Sequence, residues 1–172
     1  MFKIILILVF FAGCSYLGYL YGESFKNRLE QLKECNKVIV LLQNQVVFNN
    51  TPLPEAITLL SKKVSKPFDN ILKKAADNLR KGKTLDVHSA FYEEFNKHSS
   101  ELYLNKDDKR ILSDFTRSLG ESGVYGQEKI FNLTIESLKF NIDEASELAK
   151  KNTKLYRYLG ICLGAMISIW LI

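Results

Sequence analysis

The nearest approach to a chemical motif in this sequence is Gly82-Lys83-Thr84, which has the form of the end of a phosphate-binding loop. Such a loop needs a second glycine five residues before Gly82, and that position is Asp77. It also needs a preceding β-strand, and none is predicted. Because a helix stop at Gly82 and an N-cap at Thr84 account for the same residues, the segment does not predict nucleotide binding.

Metal, redox and acid–base chemistry have no better support. His88 and His98 do not form the HExxH arrangement of zinc enzymes. Asp107 and Asp108 are predicted in the first turn of a helix, where carboxylates act as solvated caps. The three cysteines (Cys14, Cys35 and Cys162) lack the spacing of a metal site or a disulfide framework. The sequence therefore predicts a protein without cofactor or metal that is not an enzyme.

Helices must position any functional surface, because apolar residues recur at spacings of three and four through the middle of the chain. The fold class is predicted as all-α, an antiparallel bundle of about six helices whose first and last helices continue into transmembrane helices. The predicted elements are a long first helix ending near Phe48, a turn from Asn49 to Pro54, a helix from Pro54 to Val64, a helix from Phe68 stopped by Gly82, a helix capped by Thr84, a helix capped by Asn105 through Leu119, a turn from Gly120 to Gly126, and a last helix from about Gln127.

Both ends of the chain are uncharged and apolar, which predicts membrane anchors. Residues 4–22 would span about 28 Å as a helix, close to the hydrocarbon thickness of a bilayer. Residues 158–172 are predicted as a second transmembrane helix. Basic residues adjoin both anchors on the side of the middle of the chain, so residues 23–157 are predicted to form one cytoplasmic domain. These basic residues are Lys26, Arg28, Lys33, Lys37, Lys150, Lys151, Lys154 and Arg157.

Each predicted anchor contains two glycines at the GxxxG spacing, which leaves a bare patch on one face of a helix. Gly18 and Gly22 lie in the first anchor, and Gly160 and Gly164 lie in the second. In an antiparallel hairpin the two patches fall at the same depth. The hypothesis is that the patches pack on each other or on partner helices; the alternative is the general abundance of glycine in membrane helices.

The first apolar segment has a second interpretation. Phe11-Ala12-Gly13-Cys14 resembles the end of a bacterial lipoprotein signal, in which small residues precede a lipidated cysteine. The single lysine before the segment and the apolar run after Cys14 favour an uncleaved anchor.

The chain as a whole resembles the stage III sporulation protein AB family of endospore-forming bacteria. The middle of that family is similar to the cytoplasmic domain of the inner-membrane platform protein of type II secretion, the F family. The residues that carry the resemblance are the helix Leu29–Val46 leading into Asn50–Ala56, the stretch Asp114–Ser122, Gln127, and the closing Tyr156–Gly160. One departure is Gly123, where the family commonly has an acidic residue.

The resemblance implies a membrane component of the sporulation channel between mother cell and forespore, located in the mother-cell membrane around the forespore. The implied partners are the ATPase of that complex, its other membrane components and membrane lipid, but not nucleic acid. By analogy with the secretion platform, the domain would couple the ATPase to membrane parts. Homo-oligomerisation stays open. The candidate partner interface is the loop and turn formed by Thr51, Pro52, Leu53, Leu119, Gly120, Glu121, Ser122 and Gln127. The alternative is a purely conformational role, because prolines and glycines stop helices wherever a bundle reverses.

Two other functions stay open. One is a lipoprotein-type adaptor tethered through Cys14. The other is a small transport or lytic membrane protein that acts alone. Such a protein is expected to place ionisable residues inside its spans, and the predicted spans contain no charged residue.

Overall fold

The computed structural model describes residues 2–84, 86–121 and 124–171, with side chains for residues 7–84, 86–119 and 126–170. It contains six α-helices and no strand within those residues, which confirms the all-α prediction. The helices are α1 (Phe2–Gln43), α2 (Leu53–Ser61), α3 (Phe68–Arg80), α4 (Val87–Lys97), α5 (Lys106–Glu121) and α6 (Val124–Leu171), with a π-helix at Asn44–Phe48 after α1 and a 3₁₀ turn at Ser99–Glu101 after α4.

The predicted turn from Gly120 to Gly126 is wrong in its extent. Helix α5 continues to Glu121 and α6 begins at Val124, so the glycines that flank the connection lie in helices. A glycine inside a helix lowers the stability of the helix by about 1 kcal/mol relative to alanine. The other residues of the helix offset this cost. Ser122 and Gly123, between the two helices, lie outside the described residues.

Two helix caps show where local sequence was and was not sufficient. Gly82 ends α3 in the left-handed conformation with φ of 60°, as predicted, and the Lys83 N–H donates to Asn78 O at 3.0 Å. The predicted N-cap at Thr84 is wrong. Asp86 caps α4 instead, because its carboxylate accepts from Ser89 N at 2.6 Å and from Ser89 Oγ at 3.0 Å. These hydrogen bonds lower the pKa of Asp86.

The chain divides into two compact units. Unit 1 comprises Met1–Leu29 and Asp143–Ile172, and unit 2 comprises Glu30–Ile142. Helices α1 and α6 therefore contribute residues to both units, whereas α2 to α5 belong to unit 2 alone.

No helix in the described part of the chain is both long enough and apolar enough to cross a membrane. This finding does not support the predicted transmembrane helices at 4–22 and 158–172. Both predictions include residues whose side chains lie outside the described set, at 4–6 and 171–172. From residue 7 onward, the apolar run of α1 is diluted by glycine, serine and tyrosine before Glu23 ends it.

The core of unit 2 forms from the apolar faces that the helical periodicity predicts. Helix α3 buries five residues on one face (Phe68, Ile71, Leu72, Ala75 and Ala76). The part of α1 in this unit buries Leu32, Cys35, Ile39 and Leu42 at matching spacings. Phe131 and Leu138 of α6 are fully buried, and the ring of Phe131 packs edge-on against Phe115 of α5. The removal of these apolar surfaces from water is the main driving force for the folding of this unit.

One part of this core is polar. Asn105 caps α5 as predicted, because its Oδ1 accepts from Asp108 N at 2.8 Å, and Asp108 Oδ2 accepts from Asn105 N at 3.0 Å. Asp108 is not the solvated cap that was predicted, since it is completely buried. Its other oxygen accepts from Asn141 Nδ2 of α6 at 2.7 Å. A buried carboxylate requires such donors, so α6 completes the cap of α5.

Cys35, on α1, is the buried thiol of unit 2. Burial raises the pKa of this thiol, and the negative charges of Asp108 and Glu34 raise it further. Cys35 therefore stays protonated in the folded protein at pH values where an exposed thiol ionises.

Asn141→Ala is expected to lower the free energy of unfolding by about 1–3 kcal/mol, because it removes a hydrogen-bond donor to the buried Asp108 carboxylate. Urea unfolding of the full chain in detergent, followed by circular dichroism, measures this change. The matched control is Asn70→Ala on the exposed face of α3, which should shift the value by less than about 0.5 kcal/mol. Equal effects of the two variants would contradict the structural role of Asn141.

The stability of the protein should depend on Cys35 at alkaline pH. Below the ordinary thiol pKa of 9.0, both the folded and the unfolded chain bind the proton. Above it the unfolded chain loses the proton and the folded chain retains it, so stability falls by about 1.4 kcal/mol per pH unit. The difference in unfolding free energy between the wild type and Cys35→Ala should be constant from pH 7 to 8.5 and should then shrink. A constant difference up to pH 10.5 would contradict the raised pKa.

Candidate functional site

The residues of α1 and α6 in unit 1 pack as an antiparallel pair whose closest contact is at glycine. A Cβ atom placed on Gly18 would lie 2.7 Å from Tyr156 O and 2.8 Å from Gly160 Cα. A Cβ atom placed on Gly160 would lie 2.9 Å from both Cys14 O and Gly18 Cα. Real side chains do not fit at such distances, so the two backbones touch here only because both residues are glycine.

The second glycine of each GxxxG pair extends the same contact. A Cβ atom on Gly22 would lie 2.9 Å from Thr153 O, and one on Gly164 would lie 3.0 Å from Cδ2 of Phe11. Thr153 is buried, and its Oγ1 donates to Gly22 O at 3.2 Å. The four predicted glycines therefore line one face-to-face contact in unit 1.

A group of polar and aromatic side chains lies at one end of this contact. Arg157 Nη2 donates to Glu23 Oε2 at 2.7 Å, and the Arg157 guanidinium lies over the ring of Tyr19, 4.6 Å from its centroid. Nearby, the ring of Tyr156 packs edge-on against Tyr21 and stacks on Phe25. We call these six residues the collar. Their ion pair and ring contacts fix the register of the two helices.

Arg28 provides a further cross-link beyond the collar. Its Nη2 donates to Glu144 Oε2 at 3.3 Å, and the Arg28 side chain is almost buried. The ion pairs of Arg28 and Arg157 both join α1 to α6 within unit 1.

The outward surface of unit 1 is apolar. Large side chains stand exposed on both helices on the side of the glycine contact away from the collar, up to Trp170, which is 88% exposed. The exposed apolar residues there include Leu8, Val9, Phe10, Leu17, Ile161, Leu163, Met166 and Ile169. An apolar surface of this extent on a soluble monomer would be exceptional and indicates a site of interaction with apolar surroundings.

The loop part of the candidate partner interface leads into α2. Thr51 N donates to Gln45 O at 2.8 Å, which holds the loop against the π-helix. Pro52 is exposed and its carbonyl accepts from Glu55 N and Ala56 N, while Leu53 is the first residue of α2 and half-buried. Of the three predicted residues, Pro52 is therefore the most accessible to a partner.

The turn part of the candidate interface is only partly described. Leu119 is buried in the core of unit 2, so a partner would have to contact the turn through other residues. Gly120 and Glu121 end α5, but their surroundings lie outside the described side chains, and Ser122 lies outside the described residues. Gln127 is half-buried on the first turns of α6. Shortly after it, Asn132 Oδ1 accepts from Gln43 Nε2 of α1 at 2.8 Å.

Sequence reasoning missed the collar. A single charge pair separated by more than a hundred residues has no local signature, although the cluster of tyrosines beside each glycine pair was a usable signal. Within the described residues, no three potential metal ligands come together. Cys14 lies inside the glycine contact, with its Cβ near the position of a Cβ on Gly164.

Comparison with known proteins gives one consistent result. The family model described as stage III sporulation protein AB matches residues 3–172. Among curated proteins, stage III sporulation protein AB of Bacillus subtilis (strain 168) is 22% identical over 157 residues, which cover 91% of each chain. A solved structure of stage III sporulation protein AB is similar in fold, with a TM-score of 0.66 and 22% identity, and covers 72% of this chain and 96% of its own.

Gly18→Ala and Gly13→Ala should change stability in opposite directions. Gly13 has no atom within 4 Å of an added Cβ, so alanine there should raise helix stability by about 0.5–1 kcal/mol. At Gly18 the added methyl group must push two backbones apart, which should cost about 1–3 kcal/mol. Unfolding titrations of the full chain in detergent measure both. A stabilising Gly18→Ala would contradict the close contact.

Proposed function

Because this chain belongs to the stage III sporulation protein AB family, we propose that it is a membrane-anchored platform protein of the sporulation complex between mother cell and forespore. Its role is structural, and it couples a cytoplasmic ATPase to the membrane parts of that complex. It resides in the mother-cell membrane around the forespore, with the middle of the chain in the cytoplasm.

The observation that carries this proposal is the helix pair of unit 1. Its apolar residues face outward and its glycines face inward, which is the arrangement expected of helices that associate in lipid. The tyrosines of the collar are of the type enriched at the membrane interface. In the proposed state, lipid covers the exposed apolar residues, and the collar lies at the level of the headgroups.

The charges on the collar side of unit 1 are consistent with a cytoplasmic middle. Lys26 and Arg28 come after the apolar end of α1, and the basic residues of α6 come before its apolar end (Lys150, Lys151, Lys154 and Arg157). Because the two helices are antiparallel, both groups lie on the same side of the glycine contact. Clusters of this kind stay on the cytoplasmic side and attract anionic lipid headgroups at about 1 kcal/mol per residue.

Coupling the ATPase to the membrane requires that α1 and α6 stay rigidly paired in unit 1. In unit 1, α1 and α6 touch through their backbones and are cross-linked by the ion pairs of Arg157 and Arg28. Each of the two helices also supplies residues to unit 2, where a cytoplasmic partner would bind. We propose that the loop Thr51–Leu53 and the turn around Glu121 and Gln127 contact a partner protein of the complex.

Membrane flotation tests the proposal directly. When the chain and the ATPase of the complex are produced together, both should float with membranes in a sucrose gradient, and the chain should resist carbonate extraction. When the ATPase is produced alone, it should remain in the soluble fraction. A chain that carbonate releases would overturn the anchoring, and an ATPase whose distribution ignores the chain would overturn the coupling.

The same gradient tests the loop and the turn. Glu121→Gln and Gln127→Ala should reduce the floated fraction of a partner protein of the complex, whereas Glu128→Gln, a neighbouring exposed position, should not. Unchanged partner binding in all three variants would leave these residues with a conformational role only.

A further inference from the structure

A groove of about 250 Å³ lies between α4 and α5 in unit 2. Its floor is apolar and includes Phe91, Leu102 and Leu112, all of which are buried. Its rim carries Tyr92, which is 57% exposed. Drug-sized ligands usually occupy about 300–1,000 Å³, so this groove suits one or two anchoring side chains of a protein better than a small molecule.

The wall next to the apolar floor is positively charged. Lys109 and Arg110 line the groove from α5, and no aspartate or glutamate lines it. Both cations are exposed and form no ion pair with the described residues. An occupant that supplies carboxylates would therefore gain charge-assisted hydrogen bonds without displacing an existing partner.

Two rim residues are already held in place. His88 Nε2 lies 3.0 Å from Ser113 Oγ, and this contact joins α4 to α5. The imidazole ring of His88 stacks on the ring of Tyr92, with the two centroids 5.7 Å apart. A stacked tyrosine loses little conformational entropy on binding. Tyrosine and arginine beside an apolar pocket are the residue types that dominate binding energy at protein interfaces.

We infer that this groove binds a segment of the complex's ATPase that carries an aromatic or aliphatic anchor next to carboxylates. The apolar floor receives the anchor, Tyr92 covers it, and Arg110 and Lys109 pair with the carboxylates. A nucleic acid backbone fits less well, because the groove offers two cations above an apolar floor and not a continuous basic track. The inference rests on the proposed function, since it names the ATPase as occupant.

Binding of the purified ATPase to the full chain in detergent tests the inference. Arg110→Glu should weaken binding by about 30-fold or more, as expected at an interface hot spot, and Tyr92→Ala should weaken it by about 10-fold. The matched controls are Lys73→Glu on the exposed face of α3 and Tyr103→Ala, which is also an exposed tyrosine of unit 2. Both controls should bind like the wild type.

The outcomes separate the inference from the proposed function. If the wild type binds the ATPase and the two groove variants bind within about twofold of it, well below a hot-spot effect, the groove is not the site and the coupling role stands. If the wild type does not bind, both fail. Because Tyr92 and Arg110 are exposed, circular dichroism spectra matching the wild type should verify that the variants are folded.

Discussion

The contact between the backbones of Gly18 and Gly160 is the constraint to which the other interactions of unit 1 conform. It sets the two helices so close that Thr153 can donate to the carbonyl of Gly22 and Arg157 can reach Glu23. None of these polar contacts would form with side chains at the glycine positions, because the helices would stand farther apart. The ion pairs then fix which turn of one helix faces which turn of the other.

In unit 2, apolar burial and the hydrogen bonds of a buried carboxylate together determine how the helices pack. Apolar faces on α1, α3 and α6 supply the burial, but apolar faces alone tolerate sliding and repacking. The buried Asp108 removes that tolerance, because its carboxylate must meet both Asn105 N and Asn141 Nδ2. A displacement of α6 by one residue would break the hydrogen bond from Asn141 to this buried carboxylate, and that penalty favours the observed arrangement.

The sequence was sufficient for features that depend on neighbouring residues. The buried face of α3, the stop at Gly82 and the cap at Asn105 all follow from local spacing and side-chain type. It was insufficient where two nearby residues, Thr84 and Asp86, could both cap α4. It was also insufficient where a residue contacts a partner that is distant in the sequence. The buried Asp108 accepts a hydrogen bond from Asn141, 33 residues away, and the collar depends on a pairing of Arg157 with Glu23. The groove between α4 and α5 has no motif because ordinary core residues form its floor.

The glycine contact also differs from other helix contacts in its entropy cost. Long side chains lose rotamer freedom when they pack, at a cost of up to about 2 kcal/mol each, whereas glycine has no rotamers to lose. At the point of closest approach, the pairing of α1 with α6 therefore carries almost no penalty from side-chain ordering. Because that entropic penalty grows in proportion to absolute temperature, an association made backbone to backbone weakens less on heating than one made by interlocking side chains.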